Sequence, residues 1–214
     1  ANTYYQNKGT GPGDFKYRDI GSFDADGKII GVPDGRINAA DKTFIGNPWP
    51  KWVLGFNAGA SFRGFDLSLF LQGVQGVDRY NSFKSILTNL KGDYSMSTAA
   101  LDRWTFENPG ATLPRIHRDD PNRNRTTVSD FYVEDGSYLR VKNVQLGYTL
   151  PAALAGKVKL ASLRLYVSGD NLLTFTRYSG IDPEFDAGGN TEKGIDMGIY
   201  PQSRTLLFGL QIGL

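Results

Sequence analysis

An Asp-rich segment, residues 24–41, contains the residue types best suited to hold a metal ion. It carries a short duplication, Asp26-Gly-Lys-Ile29 and Asp34-Gly-Arg-Ile37. Calcium takes roughly six to eight oxygen ligands, and EF-hand-like loops supply them from alternate positions around a glycine turn. The segment therefore predicts a calcium site, in which an insertion of about eight residues separates two half-loops. Its candidate ligands are Asp24, Asp26, Asp34, Asn38 and Asp41, and the alternative is a solvated Asp/Gly turn with an Asx cap, which needs no ion.

Aromatic side chains in the long irregular stretches form a second candidate site. Aromatic faces in loops stack on sugar rings, and they also pack against one another inside a folded loop. We expect substrate contacts from these residues, with self-packing as the open alternative. The candidates are Tyr80, Tyr94, Trp104, Phe106 and Tyr178.

Residues for covalent catalysis are poorly represented. Asp182, Glu184 and Asp186 lie in one loop beside Pro183, an arrangement that favours loop rigidification over glycosidase chemistry. His117 is the only histidine, so no second histidine is available for acid–base chemistry. The sequence also lacks a Gly-rich phosphate loop and a zinc-binding spacing. It predicts a protein that is not an enzyme.

A basic cluster raises the question of nucleic-acid binding. Nearby aspartates dilute its charge, and no aromatic residue interleaves it, so a solvated loop is the better interpretation. The overall formal charge of +2 likewise provides no general field for nucleic acid. The cluster consists of Arg115, His117, Arg118, Arg123 and Arg125.

The composition is typical of a β-rich barrel. The chain of 214 residues has 26 glycines and 13% aromatic residues, a combination common in such barrels. It has no cysteine, which excludes a disulfide framework and thiolate chemistry. No signal peptide is visible, so we expect either that a leader was removed or that the chain begins within a larger protein.

Strict alternation of apolar with small or polar residues predicts the elements that position these candidates. The last ten residues place Leu206, Phe208 and Leu210 on one face of a strand. The same pattern predicts a hairpin at 52–74, turning at Arg63-Gly64, and a second hairpin at 138–174 with a β-bulge near Asn143. Residues 96–106 could form a short helix. The remaining segments are 1–51, 75–137, 175–203 and the strand at 204–214.

Short and long connections alternate along the chain, as they do in outer-membrane barrels. We therefore predict an all-β, antiparallel segment of a transmembrane β-barrel, with extracellular loops at 1–51, 75–137 and 175–203. Five strands do not close a barrel, so further strands are needed. The alternative is a soluble β-sandwich carbohydrate-binding module, in which the apolar stripes would face a shared core. The Asp-rich segment could make such a module calcium-dependent.

Several motifs resemble the C-terminal portion of the SusC/RagA-type TonB-dependent outer-membrane transporters of Bacteroidetes. The longest is the run from Ser129 to Pro151, SDFYVEDGSYLRVKNVQLGYTLP. Shorter pieces occur in the same order as in the family. They are Asp102-Arg-Trp-Thr-Phe-Glu-Asn-Pro109, Leu113-Pro-Arg115, Leu163-Arg-Leu-Tyr-Val167, Asp170-Asn-Leu172, Gly180-Ile-Asp-Pro-Glu184 and Gly194-Ile-Asp-Met-Gly-Ile-Tyr-Pro201.

The resemblance implies a barrel of about 22 strands with an N-terminal plug. It also implies a SusD-like surface lipoprotein partner and uptake of an oligosaccharide or peptide substrate at the outer membrane. TonB would energise this uptake through the N-terminal region, which this chain lacks together with most of the barrel. A further departure is the final residue, Leu214, because such barrels usually end in an aromatic residue.

Overall fold

The computed structural model describes residue 6 and residues 9–88, 95–185, 189 and 191–214. The chain divides into two compact units. One comprises Ala1–Asn47, Tyr80–Val133 and Ile195–Gly198, and we call it the loop unit. The other comprises Pro48–Arg79, Glu134–Gly194 and Ile199–Leu214, and we call it the sheet unit. Within the described ranges, no helix is long and apolar enough to cross a membrane.

The sheet unit contains a five-stranded antiparallel sheet, which confirms the predicted all-β, antiparallel fold class. The strand order is β1-β2-β5-β6-β8. The strands are β1 (Trp52–Phe62), β2 (Phe65–Gln75), β5 (Tyr138–Thr149), β6 (Ser162–Thr176) and β8 (Thr205–Gly213). These are the five strands that alternation predicts.

Register keeps the two faces of this sheet chemically distinct across all five strands. One row runs through Ala60, Leu67, Leu146, Val167 and Phe208, all apolar. The neighbouring row consists of Ser61, Asp66, Gly147, Tyr166 and Gly209. Because side chains alternate between faces, apolar and polar rows repeat in turn along the sheet.

Short connections join the strands at one end of the sheet. β1 and β2 are joined by Arg63 and Gly64, whose positive φ angles of 49° and 86° match a tight hairpin turn. A short helix, α2 (Ala152–Lys157), lies between β5 and β6. A β-bulge interrupts β5, since Leu71 pairs with Val141 and Phe70 pairs with Asn143. Lys142 is therefore the extra residue, next to the predicted Asn143.

Three short strands form a second sheet, which the sequence analysis missed. They are β3 (Asp78–Asn81), β4 (Val133–Asp135) and β7 (Ile195–Asp196), in the order β4-β3-β7. The missed helix α1 (Ser82–Thr88) follows β3 directly. The short helix expected within 96–106 is a 3-10 turn at Thr98–Asp102, and two more 3-10 turns are Ala39–Asp41 and Asp130–Tyr132.

The loop unit has an aromatic core. Phe15 packs on Phe131 with ring centroids 4.5 Å apart, and Phe131 packs edge-on against Tyr132 at 5.0 Å. Tyr132 is fully buried and also meets the ring of Tyr80. The core thus draws together the N-terminal part of the unit, β3 and the 3-10 turn at 130–132.

Candidate functional site

The first half of the Asp-rich segment is a narrow hairpin. Phe23 and Ile29 form an antiparallel bridge, and the ring of Phe44 lies against Gly27 at the tip. The Asp24 carboxylate accepts hydrogen bonds from the backbone N–H groups of Asp26 (3.1 Å) and Lys28 (2.8 Å). Asp24 is therefore engaged in an Asx-type turn, which was the ion-free alternative for this part of the segment.

The second half is organised by Asp41. One Asp41 oxygen accepts from the N–H groups of Ile20 (2.9 Å) and Gly21 (3.0 Å), and the other accepts from Asn38 N–H (2.7 Å). Burial acts to raise the pKa of Asp41, but these donors outweigh it, so the pKa lies below the ordinary value of 3.8. The Asn38 side chain in turn accepts from Ala40 N–H and caps the 3-10 turn.

Asp19 is a member of this turn that the sequence analysis missed. Its two carboxylate oxygens accept from the N–H groups of Asp34 (3.2 Å) and Gly35 (2.6 Å), 15 and 16 residues further along the chain. Its side chain also lies within hydrogen-bonding reach of Asp41. Asp19 lies outside the Asp-rich segment 24–41, and its spacing from Asp34 gives no signal in the sequence.

The five predicted calcium ligands do not converge. Asp34, Asn38 and Asp41 lie around the turn that Asp19 completes, whereas Asp24 and Asp26 lie at the hairpin tip. Over the described residues, no group of three or more acidic or histidine side chains is placed to hold a metal ion. The oxygens serve backbone donors, and the donor set as placed does not fit a calcium loop of six to eight oxygens. Calcium binding stays a prediction.

The predicted aromatic residues occupy different environments. Trp104 and Phe106 pack together with centroids 5.1 Å apart, and Phe106 is 83% exposed. Tyr80 belongs to the aromatic core of the loop unit. Tyr178 is buried in the sheet unit beside Phe185, and Tyr94 lies outside the described residues. Of the predicted set, Trp104 and Phe106 form the one aromatic surface that the described structure presents, and substrate contact by these residues stays a prediction.

Trp104 is placed by the N-terminal part of the loop unit. Its indole lies directly over Gly13, whose positive φ of 84° and missing Cβ permit this approach. The Trp104 backbone N–H donates to the carbonyl of Leu113 (3.0 Å). Next to it, Arg115 donates two hydrogen bonds to Asp14, at 2.9 and 2.7 Å.

A buried polar network fastens Gln6 and residues 10–17 to residues 120–125. The Asn124 carbonyl oxygen Oδ1 accepts from Phe15 N–H (3.1 Å), and its amide donates to Asp14 (2.9 Å). Asn122, fully buried, donates to the Phe15 carbonyl (3.0 Å) and to Asn124 (2.6 Å), and accepts from Gln6. Because each buried amide has partners, this network fixes the loop as firmly as a strand pairing would.

The sheet unit has its own charged site, on the polar face of β5. Arg140 is almost fully buried and donates to Thr174 of β6 (2.8 Å), to Glu184 (2.8 Å) and to Asp182. Asp182 also accepts a hydrogen bond from Gln202 N–H (2.9 Å), which joins two positions that are 20 residues apart in the chain. Asp182 and Glu184, two of the carboxylates considered for glycosidase chemistry, are thus held by cations, in agreement with a loop-rigidifying role. Asp186 lies outside the described residues.

The bulge in β5 explains how the second cation reaches this site. Lys142 is the bulged residue, so it and Asn143 both project to the polar face. Lys142 donates to both oxygens of Glu184 at 2.8 and 3.0 Å, and Asn143 donates to Asp170 of β6 at 2.7 Å. Two cations, Arg140 and Lys142, thus face two carboxylates, Asp182 and Glu184.

Nearer the short turns, a second ion pair crosses a whole strand. Arg164 of β6 donates to Asp66 of β2, and the pair passes over Gly147 of the intervening strand β5. A Cβ at Gly147 would come within 2.5 Å of both partners, so the pair requires glycine there. The Tyr166 ring covers Gly209 of β8 in the same way. On the polar face, long side chains therefore extend over glycines of the neighbouring strand and pack against them.

Similarity searches point to one group of proteins. TonB-dependent receptors P3 and P26 of Formosa agariphila are 38% and 34% identical to the chain over 90% and 84% of its length. SusC of Bacteroides thetaiotaomicron is 26% identical over 84%. A closed-closed structure of the RagAB peptide importer superposes on 90% of the chain with a TM-score of 0.69 and 30% identity, and an open-open structure on 86% with 0.69 and 28%.

The match covers a limited part of each relative. The chain spans 19% of receptor P3, 18% of P26 and 20% of the superposed RagAB chain. No family profile matches the sequence. The five-stranded sheet with one apolar and one polar face corresponds to a stretch of barrel wall, left open because the remaining strands are not in the chain. The chain belongs to the SusC/RagA-type TonB-dependent transporters and corresponds to their C-terminal portion.

Proposed function

We propose that this chain forms part of the wall and outer loops of an outer-membrane, TonB-dependent nutrient importer. The apolar face of the five-stranded sheet is the observation that carries the proposal. Leu54, Phe56, Leu146, Leu165 and Phe208 lie on it with 47–82% of their surface exposed. A soluble protein seldom leaves so large an apolar face uncovered, whereas a barrel in lipid requires it.

Aromatic residues at both ends of this face support a membrane position. Trp52 and Phe175 are exposed at the end with the long connections. At the opposite end Phe62 pairs with Phe65, whose ring meets that of Tyr148 at 4.5 Å. Transmembrane barrels carry such aromatic girdles at the two interfaces of the bilayer. The strands between them have 9 to 15 residues, which suffices to cross the hydrocarbon core at a tilt.

The partners follow from the family. We infer that a SusD-like lipoprotein covers the outer loops and that TonB acts through an N-terminal region beyond this chain. The substrate is an oligosaccharide or a peptide, and the RagAB relative is a peptide importer. The receptors and transporters among the relatives favour binding and gated transport without covalent chemistry. The long segments 1–51, 75–137 and 175–203 would then form the extracellular loops.

Cell fractionation with an antibody against residues 162–214 tests the proposal. We expect a band in the outer membrane at about five times the 23.6 kDa of this chain, since the chain aligns with 19% of a relative. A band of 23.6 kDa in the soluble fraction would overturn the proposal. That result would leave the β-sandwich binding module, whose apolar stripes would have to be covered by a second sheet.

A further inference from the structure

Two chain segments of the loop unit together form a basic surface. Residues 14–18 run beside residues 118–125, and they are joined by the hydrogen bonds Phe15 N–H to Asn124 Oδ1 (3.1 Å) and Tyr17 OH to Arg123 O (3.2 Å). Although the segments are about 100 residues apart in the chain, side-chain hydrogen bonds hold them beside each other. Side chains that leave the joined segments outward therefore form one surface.

Burial separates two kinds of residue within the second segment. Asp120, Asn122 and Asn124 are buried and supply the polar network described above. Arg118, which precedes them, and Arg123, between Asn122 and Asn124, are exposed. In the first segment Phe15 packs into the aromatic core and Arg18 is exposed. The inward positions hold the fold together. The outward positions carry these guanidinium groups and Lys16, with Asp119 as the one exposed carboxylate of the two segments.

The outward cations have not been neutralised by the protein. Arg115 is paired with Asp14, and Asp120 accepts the N–H groups of Asn124 and Arg125. Among the described residues of these two segments, Arg18, Arg118, Arg123 and Arg125 take part in no ion pair. The Arg125 Nε–H is buried and finds no acceptor among these residues. The exposed guanidinium groups of Arg18, Arg118 and Arg123 offer donors to an anionic ligand.

The backbone that carries these arginines is strained and firmly held. Asp120 and Arg123 have φ angles of 41° and 60°, which residues other than glycine rarely adopt. Such strain persists only where the surrounding structure over-determines it, and here Asn122 and Asn124 do so. A merely solvated loop would relax to a cheaper conformation. The arginines are thus presented on a preorganised support, which lowers the entropy cost of binding.

An exposed aromatic surface lies beside the first segment. The Trp104 indole rests on Gly13, adjacent to Asp14 and Arg115, and Phe106 packs on Trp104 with its outer face open. Aromatic faces stack on the apolar face of a sugar ring, while guanidinium forks match the planar geometry of carboxylate and the oxygens of sulfate. A flexible acidic peptide would use the cations but has less need of the aromatic face.

We propose that this surface binds an acidic oligosaccharide, with its carboxylate or sulfate groups at Arg18, Arg118 and Arg123 and a sugar ring on Phe106. The inference rests on the proposed import function and narrows its substrate class. The sequence favoured a solvated loop for the basic cluster, whereas this proposal makes part of the cluster a binding surface. Arg115 belongs to the cluster but pairs with Asp14, so it stabilises the loop and does not bind the ligand.

Calorimetric titration of the full-length protein in detergent tests this inference. The probes are an oligogalacturonate, a sulfated dextran oligosaccharide, a neutral maltooligosaccharide and poly-glutamate. The test variant is R18Q/R118Q/R123Q, and the charge-matched control K157Q/K159Q/R204Q changes exposed cations of the sheet unit. We expect the test variant to weaken the acidic-sugar probes at least about tenfold, with the control within about twofold. Wild-type binding should also weaken as salt is raised.

The remaining arms separate the possible ligands. Phe106→Ala should weaken both acidic sugars and leave any poly-glutamate binding unchanged, and the relative response to the first two probes distinguishes carboxylate from sulfate. Equal binding of the neutral sugar, or equal affinities of test and control variants, would overturn the inference. Poly-glutamate bound as tightly as the sugars would replace the glycan with an acidic peptide. Fractionation decides the import function separately, so either proposal is able to fail while the other stands.

Discussion

The sheet unit and the loop unit satisfy their backbone polar groups by opposite means. In the sheet unit the strands pair N–H with C=O along continuous ladders, such as the eleven residue pairs joining β1 and β2. The side chains are then free to alternate between an apolar and a polar face. In the loop unit, side-chain oxygens accept the hydrogen bonds of backbone N–H groups. Asp41 takes three backbone N–H groups, and Asn124 takes that of Phe15.

This difference decides where function-specific change is tolerated. The apolar face of the sheet needs an apolar side chain at every second position of each strand. A single polar substitution on this face therefore destabilises the protein in the membrane. The loop unit depends on individual side chains with several partners each, and its outward positions are unconstrained by packing. The loop unit is thus suited to presenting substrate-binding groups, while the sheet unit is suited to holding a barrel together.

Arg140 belongs to the sheet unit, yet like the key residues of the loop unit it has several side-chain partners. Its removal should cause the largest loss of local stability among the substitutions considered. Arg140→Leu would leave Asp182 buried without its cation, which typically costs about 3–5 kcal/mol. We expect the strands to remain paired while residues 177–185 lose protection in hydrogen exchange of the full-length protein. Arg164→Leu is the matched control, because the pair of Arg164 with Asp66 is more exposed than that of Arg140 with Asp182. Equal loss of protection in both variants would contradict the assignment of Arg140 as the anchor.

The two faces of β5 provide the next test. Leu146→Arg places a charge on the apolar face, three residues before the end of β5. We expect a cost in a bilayer of up to about 2–4 kcal/mol, the value at the midplane. Gln145→Arg, one residue earlier on the polar face, should cost little. Folding yield into lipid vesicles, followed by heat-modified gel mobility, measures both. Similar yields would show that the apolar face does not contact lipid.

The sequence predicted the sheet unit much better than the loop unit, and the reason is the range of the interactions. The five strands, the turn at Arg63-Gly64 and the bulge next to Asn143 follow from local alternation and turn chemistry. By contrast, β3 was missed because Tyr80 pairs with Ile195, more than a hundred residues away. No local sequence pattern predicts a partner strand as short as the two residues of β7.

The candidate site shows the same limit. Asp24 and Asp26 were chosen as ligands because they are close in sequence to Asp34, yet the fold brings Asp19 there instead. The basic cluster was found by composition, but its division into the supporting Arg115 and the outward Arg118 and Arg123 depends on Asp14 and Asn124. Side-chain networks between distant segments carry no periodicity, and spacing alone does not reveal them.

Substitution of Asn124 tests whether single side chains determine the local stability of the loop unit. Asn124→Ala leaves the Phe15 N–H and part of the Asn122 amide without partners, and we expect a loss of about 2 kcal/mol in local stability. Hydrogen exchange over residues 9–18 and 115–125 measures the loss. Asn57→Ala, on the exposed polar face of β1, is the control and should change nothing there. If both variants leave the exchange of these segments unaltered, the network does not fix the loop.

Asp14 should give the loop unit a small pH dependence. Burial acts to raise the pKa of Asp14, but hydrogen bonds from Arg115, Gly11 and Asn124 outweigh it and hold the pKa below 3.8. A lowered pKa means that the unfolded segment binds the proton more readily. The stabilisation is therefore complete above about pH 4 and is lost as the pH falls through the native value. Exchange protection of residues 9–18 should decrease below that pH, and Asp14→Asn should remove this acid-dependent part while lowering protection at neutral pH. An identical acid response in Asp14→Asn would assign the effect to another carboxylate, the next candidate being Asp41 with its own lowered pKa.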